Sequence, residues 1–529
     1  MHANSLHGNR EIPESTDCHP QSVRSSKAGG YNLDMHVNGK SDTGVVSMKR
    51  TNKGAQPRQQ GQPSAEFVER RPVAKGNPVQ TTMTGTQRPE PVSSALGRVR
   101  EAAKMDSKLR FTNLLHHVTV DLLRDAYFTL KRDAAPGIDE VTWSEYGEGL
   151  EERLPVLHDC IQNGRYQAKP SKRVWIPKPD GRQRPIGIAA VEDKIVQQAL
   201  VLILQPIYEE DFLGFSYGSR PGRSQHQALD AIYVAITQRK VGWVLDADIR
   251  GFYDSVDHDW VMKFVGHRIG DSRILRLLQK FLRAGVSEDG EWAKTVVGTP
   301  QGAVISPLLA NIYLHYVLDL WVQWWRKRHA RGEVYIVRYV DDFVMGFQYR
   351  SDARRLQAAL KERLLKFGLE LHEGKTRLME FGRFATDNRA ERSEGKPETF
   401  DLLGFTHICS KRRDGKRFAL RRKTIAKKLR VKIAEVSKLL MRGRHRPLPE
   451  QGSWLKSVVR GHFNYYGVPG NRKAMDAFRT LVNRAWIRAL RRRSHKARSL
   501  TWARLQTLVK RWIPSARIVH PYPEQRFCV

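Results

Sequence analysis

The run VYIVRYVDDFVMGF at residues 334–347 constrains this chain more than any other segment. Apolar residues fill both sides of Asp341 and Asp342, a pattern that predicts two strands joined by a tight turn with both carboxylates at its tip. Two negative charges at the bend of a buried hairpin repel each other, and neither stays ionised cheaply without a cation beside it. Aspartate is also a common turn residue, so the pair acquires weight only from partners elsewhere in the chain.

The first partner is GWVLDADIRGFYDSVDHD at 242–259. Trp243, Val244 and Leu245 predict a strand, Asp246 and Asp248 alternate onto one of its faces, and Gly251 ends the pattern. A second strand ending in a carboxylate is what a two-Mg²⁺ site needs. Mg²⁺ demands hard oxygen ligands, takes one or two from the protein and leaves the rest to phosphates and water. Two such ions about 3.5–4 Å apart activate an attacking hydroxyl and stabilise the leaving oxygen. Asp254 and Asp257 read as exposed loop charges. Between the acidic strands, Gly298, Pro300 and Gly302 predict a turn before an apolar helix from about Ile305, with Ser306 as N-cap and Pro307 in the first turn. Such a turn lets the backbone approach a nucleotide or nucleic acid closely.

The charge is consistent with a polyanionic partner. The formal net charge is +36 and the pI about 10.2, an electrostatic footprint of nucleic-acid binding. Residues 401–529 hold 33 Lys and Arg against 6 Asp and Glu, a net of +27. In this segment Ile425, Leu429, Ile433, Val436 and Leu440 form one stripe of a helix over 424–440, with lysines around it. Trp486 and Trp502 are expected to pack in a core, because their neighbours repeat at helical spacing. The first 80 residues lack sustained periodicity and read as disordered or loosely attached. No apolar run of about 18 residues predicts a membrane span, and the opening residues lack a signal peptide's apolar stretch. Cys18, Cys160, Cys409 and Cys528 are scattered, which speaks against a disulfide framework or a zinc site and for a reducing, cytoplasmic setting.

In chain order the motifs are RDAAPGIDEVTW (132–143), IPKPDGRQRPIGI (176–188), GFSYGSRPGRSQHQAL, DADIRGFYDSV, GTPQGAVISPLLANIYL, RYVDDFVMGF, GLELHEGKTRLMEF and FDLLGFTHI. Together they resemble the fingers and palm blocks of the reverse transcriptases encoded by bacterial group II introns, also called intron maturases. LKSVVRGHFNYYGVPGN at 455–471 resembles that family's maturase signature, with Arg460, Gly461, Asn464, Tyr465 and Tyr466 matching its core and His462 where Trp is frequent. The resemblance covers roughly residues 65–515. It implies an α+β right-hand polymerase, with fingers and a palm whose antiparallel sheet carries the catalytic aspartates, followed by a helical thumb and maturase domain. The expected division is a low-complexity tail at 1–80, an N-terminal extension and fingers at 81–240, a palm at 241–410, and a basic thumb and maturase region at 411–529.

Roles follow residue by residue from the resemblance. Asp248, Ile249, Asp341 and Asp342 are the expected holders of two Mg²⁺ ions. Tyr253, with Phe252 as second choice, is expected under the sugar, selecting deoxynucleotides. Lys178 and Arg184, from a hairpin turning at Pro179, Asp180 and Gly181, are expected over the triphosphate. Gln301 would support the templating base, and Lys375 would lie near the leaving pyrophosphate as a general acid. Without the resemblance, Lys178, Arg184 and Lys375 read as solvated surface charge. Arg460, Asn464, Tyr465 and Tyr466 are the expected RNA contacts. Val340 stands where the family most often carries Ala, and a change in fidelity or processivity at most is expected. The implied activity is RNA-directed DNA synthesis, copying intron RNA and helping that RNA splice. The implied partners are group II intron RNA as template and splicing substrate, a DNA primer or target, and dNTPs. No membrane is implied, and a homodimer is left open. No clustered His and Cys suggests a metal-dependent endonuclease segment, so the primer is expected to come from elsewhere, such as a replication fork. Two alternatives stand beside this reading: an RNA-binding splicing cofactor without polymerase activity, and a CRISPR-associated or retron-type reverse transcriptase.

Overall fold

The computed structural model describes residues 94–177, 183–288, 291–293, 297–299, 301–412, 415 and 417–526. The expected tail at 1–80 and Lys178 with its turn lie outside them. The described chain opens with helices α1 (Ser94–Met105), α2 (Val120–Thr129) and α3 (Leu150–Gln162), with a 3-10 turn at Leu115–His117 and a five-residue helix at Trp143–Gly147 between them. Strands β1 (Ser171–Pro177) and β2 (Gln183–Ile188) follow, then the long α4 (Val191–Asp211) and α5 (Gln225–Gln238). Glu192 and Asp193 sit in the first turn of α4, where acidic side chains favour the helix dipole. Most of α4 is buried, and α1 and α2 pack directly on it.

Next come β3 (Trp243–Asp248), α6 (Phe252–Ser255), α7 (His258–Gly266), α8 (Ser272–Arg283), β4 (Val286–Glu288) and β5 (Glu291–Ala293). The apolar run after the Gly-rich turn gives α9 (Ser306–Leu314), a π-helical turn (His315–Asp319) and α10 (Leu320–Arg328). The acidic run gives β6 (Val334–Tyr339) and β7 (Asp342–Phe347), followed by α11 (Arg350–Leu365) and β8 (Arg377–Glu380). After a short helix at Ala385–Glu391 the chain continues through β9 (Phe400–Leu402), β10 (Phe405–Lys411) and β11 (Phe418–Thr424) into α12 (Ala426–Arg442), α13 (Leu448–Tyr466), α14 (Arg472–Arg491) and α15 (Trp502–Trp512), and then a short helix at Pro523–Arg526.

The strands form three sheets. The central one has the order β6-β7-β3-β8 and is antiparallel throughout. Its residues alternate between two cores: Leu245 and Met345 join the large core spanning Leu96 to Leu369, while Val244 and Val344 join a second core with α5. Burial of both faces explains why β6 and β7 read as continuous apolar runs and not as alternating ones. The first sheet, β2-β1-β4-β5, is mixed, because β1 pairs parallel with β4. The third, β11-β10-β9, is antiparallel. It is tied to α5 by a buried ion pair between Arg422 and Asp230, 3.2 Å apart. Helices α12 to α15 share a separate core from Val436 to Ala516.

Several local expectations are met and others revised. The stripe on α12 holds: Val436 and Leu440 are buried, with Leu429 and Ile433 packed beside them. Trp486 is fully buried, but Trp502 is 41% exposed. Ser306 is the first residue of α9 and not its cap; the Gln197 side-chain oxygen instead accepts from the Val304 amide at 2.9 Å. Asp257 is no idle loop charge: it caps α7 by accepting from the Trp260 amide at 2.9 Å. Among the described residues, no helix is long and apolar enough to cross a membrane.

Candidate active site

The β6–β7 register pairs Tyr339 with Asp342, so Val340 and Asp341 alone form the loop. Val340 has φ +60°, and a positive φ at the first loop residue is what the tightest hairpin turns require. On the other side of β7, Asp342 pairs directly with Asp248 at the end of β3. Opposed side chains in such a ladder sit about 4.5–5.5 Å apart at Cβ. Asp248, Asp341 and Asp342 are therefore gathered at one end of the central sheet. Asp246, two residues further in, pairs with Arg377 on β8, with an ion-pair distance of 3.6 Å.

The electrostatics reflect this crowding. Burial, reinforced by Asp248, pushes the Asp341 carboxyl upward. Asp342 is open to solvent, yet the protein packed around it and the charges of Asp341 and Asp248 push it up to about 6. Asp246 is also pushed to about 6 by burial, against the pull of Arg377. Lys375 supplies the nearest cation: its Nζ contacts Asp248 Oδ2. It is delivered there by a bridge between Ile249 and Leu371, in which the His372 amide donates to the Asp248 carbonyl at 2.8 Å, and by a turn closing back on the His372 carbonyl.

Clustered carboxylates that raise one another's pKa fit a divalent cation, which takes few protein ligands and relieves the repulsion. Ile249 has a buried apolar side chain, so only its main chain can contribute. The two bonds framing its bridge to Leu371 use the Asp248 carbonyl and the Arg250 amide, which leaves the Ile249 peptide out of that pairing. Among the described residues, no group of three or more His, Cys, Asp or Glu forms a ready-made metal cage.

Around the carboxylates stand the other expected site residues. Gly251, at φ +54°, starts the short α6 that carries Tyr253. Burial, then the Asp341 charge, push the Tyr253 hydroxyl up to about 12, while Arg184 pulls it down. Phe252 points the other way into the core, against Tyr313. Arg184 is exposed on β2 opposite Ile176 and is close enough to act on both Asp341 and Tyr253. The Gly-rich loop joins these parts. The Gly298 and Thr299 amides donate to the Val256 and Tyr253 carbonyls, each at 2.8 Å, and the Gly187 amide of β2 donates to the Gln301 carbonyl at 2.7 Å. Gly302 has φ +110°, and a Cβ there would lie 2.9 Å from the Gly187 oxygen. The Gln301 side-chain oxygen is buried with no hydrogen-bond partner among the described residues, the condition of an acceptor that a bound ligand can satisfy.

The four expected RNA contacts on α13 are not alike. Arg460 and Asn464, four residues apart, are exposed. Tyr465 donates to the Leu403 carbonyl at 2.8 Å and stacks on Phe405, and Tyr466 lies against His462 and Phe405. Both tyrosines therefore pack the C-terminal helices onto the third sheet. Sequence reasoning missed Arg338, whose buried side chain underlies the hairpin and pairs with Asp319 at 2.5 Å. The available signal was a lone charge inside an apolar strand, which demands a partner.

An antiparallel sheet ending in three carboxylates, flanked by a lysine, a half-buried tyrosine and a close-packed glycine loop, is the candidate active site of this chain. The family described as "Reverse transcriptase (RNA-dependent DNA polymerase)" matches residues 176–407. The chain is 36% identical over 305 residues to Protein YkfC of Escherichia coli (strain K12), covering 50% of this chain and 80% of that protein. It is 34% identical over 254 residues to the group II intron-encoded protein LtrA of Lactococcus lactis subsp. cremoris, covering 46% of this chain and 41% of that one. It is 22% identical over 192 residues to nuclear intron maturase 3, mitochondrial, of Arabidopsis thaliana, covering 32% and 26%. The chain belongs to the reverse transcriptase family, among the group II intron reverse transcriptases and maturases.

Proposed function

We propose that the chain is an RNA-directed DNA polymerase that copies group II intron RNA and also binds that RNA to promote its splicing. The observation carrying the proposal is the register that sets Asp248 opposite Asp342, beside Asp341 at the hairpin tip, with Lys375 against Asp248. In right-hand terms the first sheet serves as fingers, the central sheet as palm, and 411–529 as thumb and maturase region. Asp248, Asp341, Asp342 and the Ile249 carbonyl would hold two Mg²⁺, which supply activation of the primer hydroxyl and neutralisation of the leaving group.

The remaining chemistry is positioning and charge stabilisation. Tyr253 underlies the sugar of the incoming dNTP and leaves no room for a 2′-hydroxyl. Arg184, with Lys178, grips the triphosphate. Lys375, released from Asp248 when cations arrive, gives a proton to the leaving pyrophosphate. The orphaned Gln301 oxygen accepts from the nucleotide or template base. Exposed Arg460 and Asn464 meet intron RNA. The test is primer extension on an RNA template with Asp341→Ala and Asp248→Asn. Both should abolish extension while RNA binding persists. Retention of even about a tenth of the parent rate rejects the site, because a lost ligand removes several kcal/mol of transition-state stabilisation. A parent that splices its intron yet extends no primer at any Mg²⁺ concentration would indicate a splicing cofactor without polymerase activity.

A further inference from the structure

We propose that Arg338 is the positioning residue of the carboxylate hairpin: its guanidinium holds the Val340 carbonyl and thereby sets where the Asp341 and Asp342 carboxylates stand. The proposal rests on the metal-site reading above and adds to it a buried clamp with no place in the chemistry itself.

The Arg338 side chain is wholly buried, and all five of its N–H groups are used. Nε donates to Asp319 Oδ1 at 2.7 Å. One terminal nitrogen donates to the Val340 carbonyl and to Asn311 Oδ1, each at 3.0 Å. The other donates to Asp319 Oδ2 at 2.5 Å and to Ser216 Oγ at 2.7 Å. The clamp is itself braced. The Asn311 amide donates to the Gly218 carbonyl at 2.8 Å, which turns its oxygen toward Arg338. The Arg338 main chain is bonded to Phe215 and Tyr217 along the outer edge of β6, each at 2.9 Å. A planar fork with five fixed donors suits this task, and a lysine's point charge does not.

Two features tie this network to the carboxylates. The Val340 oxygen lies in the same rigid peptide plane as the Asp341 nitrogen, so holding that oxygen fixes the backbone that carries Asp341. Val340 is also a β-branched residue at φ +60°, a conformation that persists only where the surroundings over-determine it. Gly218 makes the room: a Cβ there would lie 2.6 Å from Val340 Cγ2. The π-helical turn completes the arrangement. Residues eight apart in an unbroken α-helix lie about 80° from one another around the axis. The wide turn from His315 to Asp319 takes up that offset and lets Asn311 and Asp319 reach the same guanidinium. Such turns occur often at functional sites.

The test uses the full chain. Arg338→Met combined with Asp319→Leu removes both buried charges at once, a change that buried pairs often tolerate in folding. Four quantities are measured: the melting temperature, Mn²⁺ affinity from the free-ion electron paramagnetic resonance signal, the Mg²⁺ midpoint of primer extension, and primer–template affinity. The expected result is a folded protein whose Mn²⁺ dissociation constant and Mg²⁺ midpoint rise by about tenfold or more, the size of effect that supporting contacts have on metal sites. Primer–template affinity should stay at the parent value. A folded variant with both metal quantities within about twofold of the parent overturns the proposal. If the double variant does not fold, Arg338→Lys decides by the same two quantities. A parent whose Mn²⁺ binding is lost in Asp248→Asn but which extends no primer refutes the polymerase reading alone, and the Mn²⁺ affinities still decide the clamp.

Discussion

Tyr253 and Phe252 are neighbours with opposite fates: Phe252 is buried in the core, while Tyr253 stays half-buried beside Asp341. On the proposed roles, the tyrosine and not the phenylalanine underlies the sugar. Tyr253→Ala should raise the ratio of ribonucleotide to deoxynucleotide incorporation in a competition assay, and Phe252→Ala should mainly lower stability, by about 3–5 kcal/mol. An unchanged ratio in Tyr253→Ala would move the sugar gate elsewhere. Gly302 offers a second test. Alanine there would hold φ at +110° and push a Cβ to 2.9 Å from the Gly187 oxygen. Denaturant unfolding of Gly302→Ala should show a loss of about 1–3 kcal/mol. The carboxylates and the glycine loop were readable because turn chemistry and alternation are local signals. Arg338 was not, because its partners Asp319, Asn311 and Ser216 lie up to 122 residues away and no spacing rule connects them.

Helix α13 shows what a single element can hide. Its sequence matches a signature associated with RNA, yet much of that signature serves packing: Tyr465, Tyr466 and His462 all face other parts of the protein. His462 stacks on Phe478 with centroids 3.6 Å apart, and its Nε2 has no hydrogen-bond partner among the described residues. Burial, helped by Lys432, pulls its pKa from 6.5 to about 4. The imidazole is therefore neutral in the folded protein, while the unfolded chain takes up a proton below about 6.5. Stability from this group is present above about pH 6.5 and is lost as the pH falls toward 4, by about 3 kcal/mol in full. His462→Phe should flatten the melting temperature between pH 6.5 and 4.5 relative to the parent. An unchanged acid limb would show that the ring is solvated. The helix itself and its apolar face were legible from periodicity; which of its polar residues face inward was not, because that depends on the third sheet meeting it.

Across the whole molecule, charge and core divide differently. The large core joins α1 and α2 to the central sheet, whereas the net charge of +27 concentrates in 401–529. RNA binding should therefore weaken steeply with salt, with log K falling by roughly 0.7–0.9 per phosphate neutralised for each unit of log salt. Arg460→Ala with Asn464→Ala should reduce intron splicing at physiological Mg²⁺ while leaving primer extension intact. Normal splicing by this double variant would remove α13 from the RNA interface. Sequence order was enough to place the sheets in sequence, but the parallel β1–β4 pair was not foreseen, since three-residue strands leave almost no pattern. The glycine loop that bonds β2 through Gln301 and the Tyr253 turn through Thr299 has a kinematic consequence. If both bonds hold during a movement, the strand bearing Arg184 and the turn bearing Tyr253 travel together toward the carboxylates. On the proposed roles, grip on the phosphates and clearance under the sugar would then be geared together, so a nucleotide that misfits one would disturb the other.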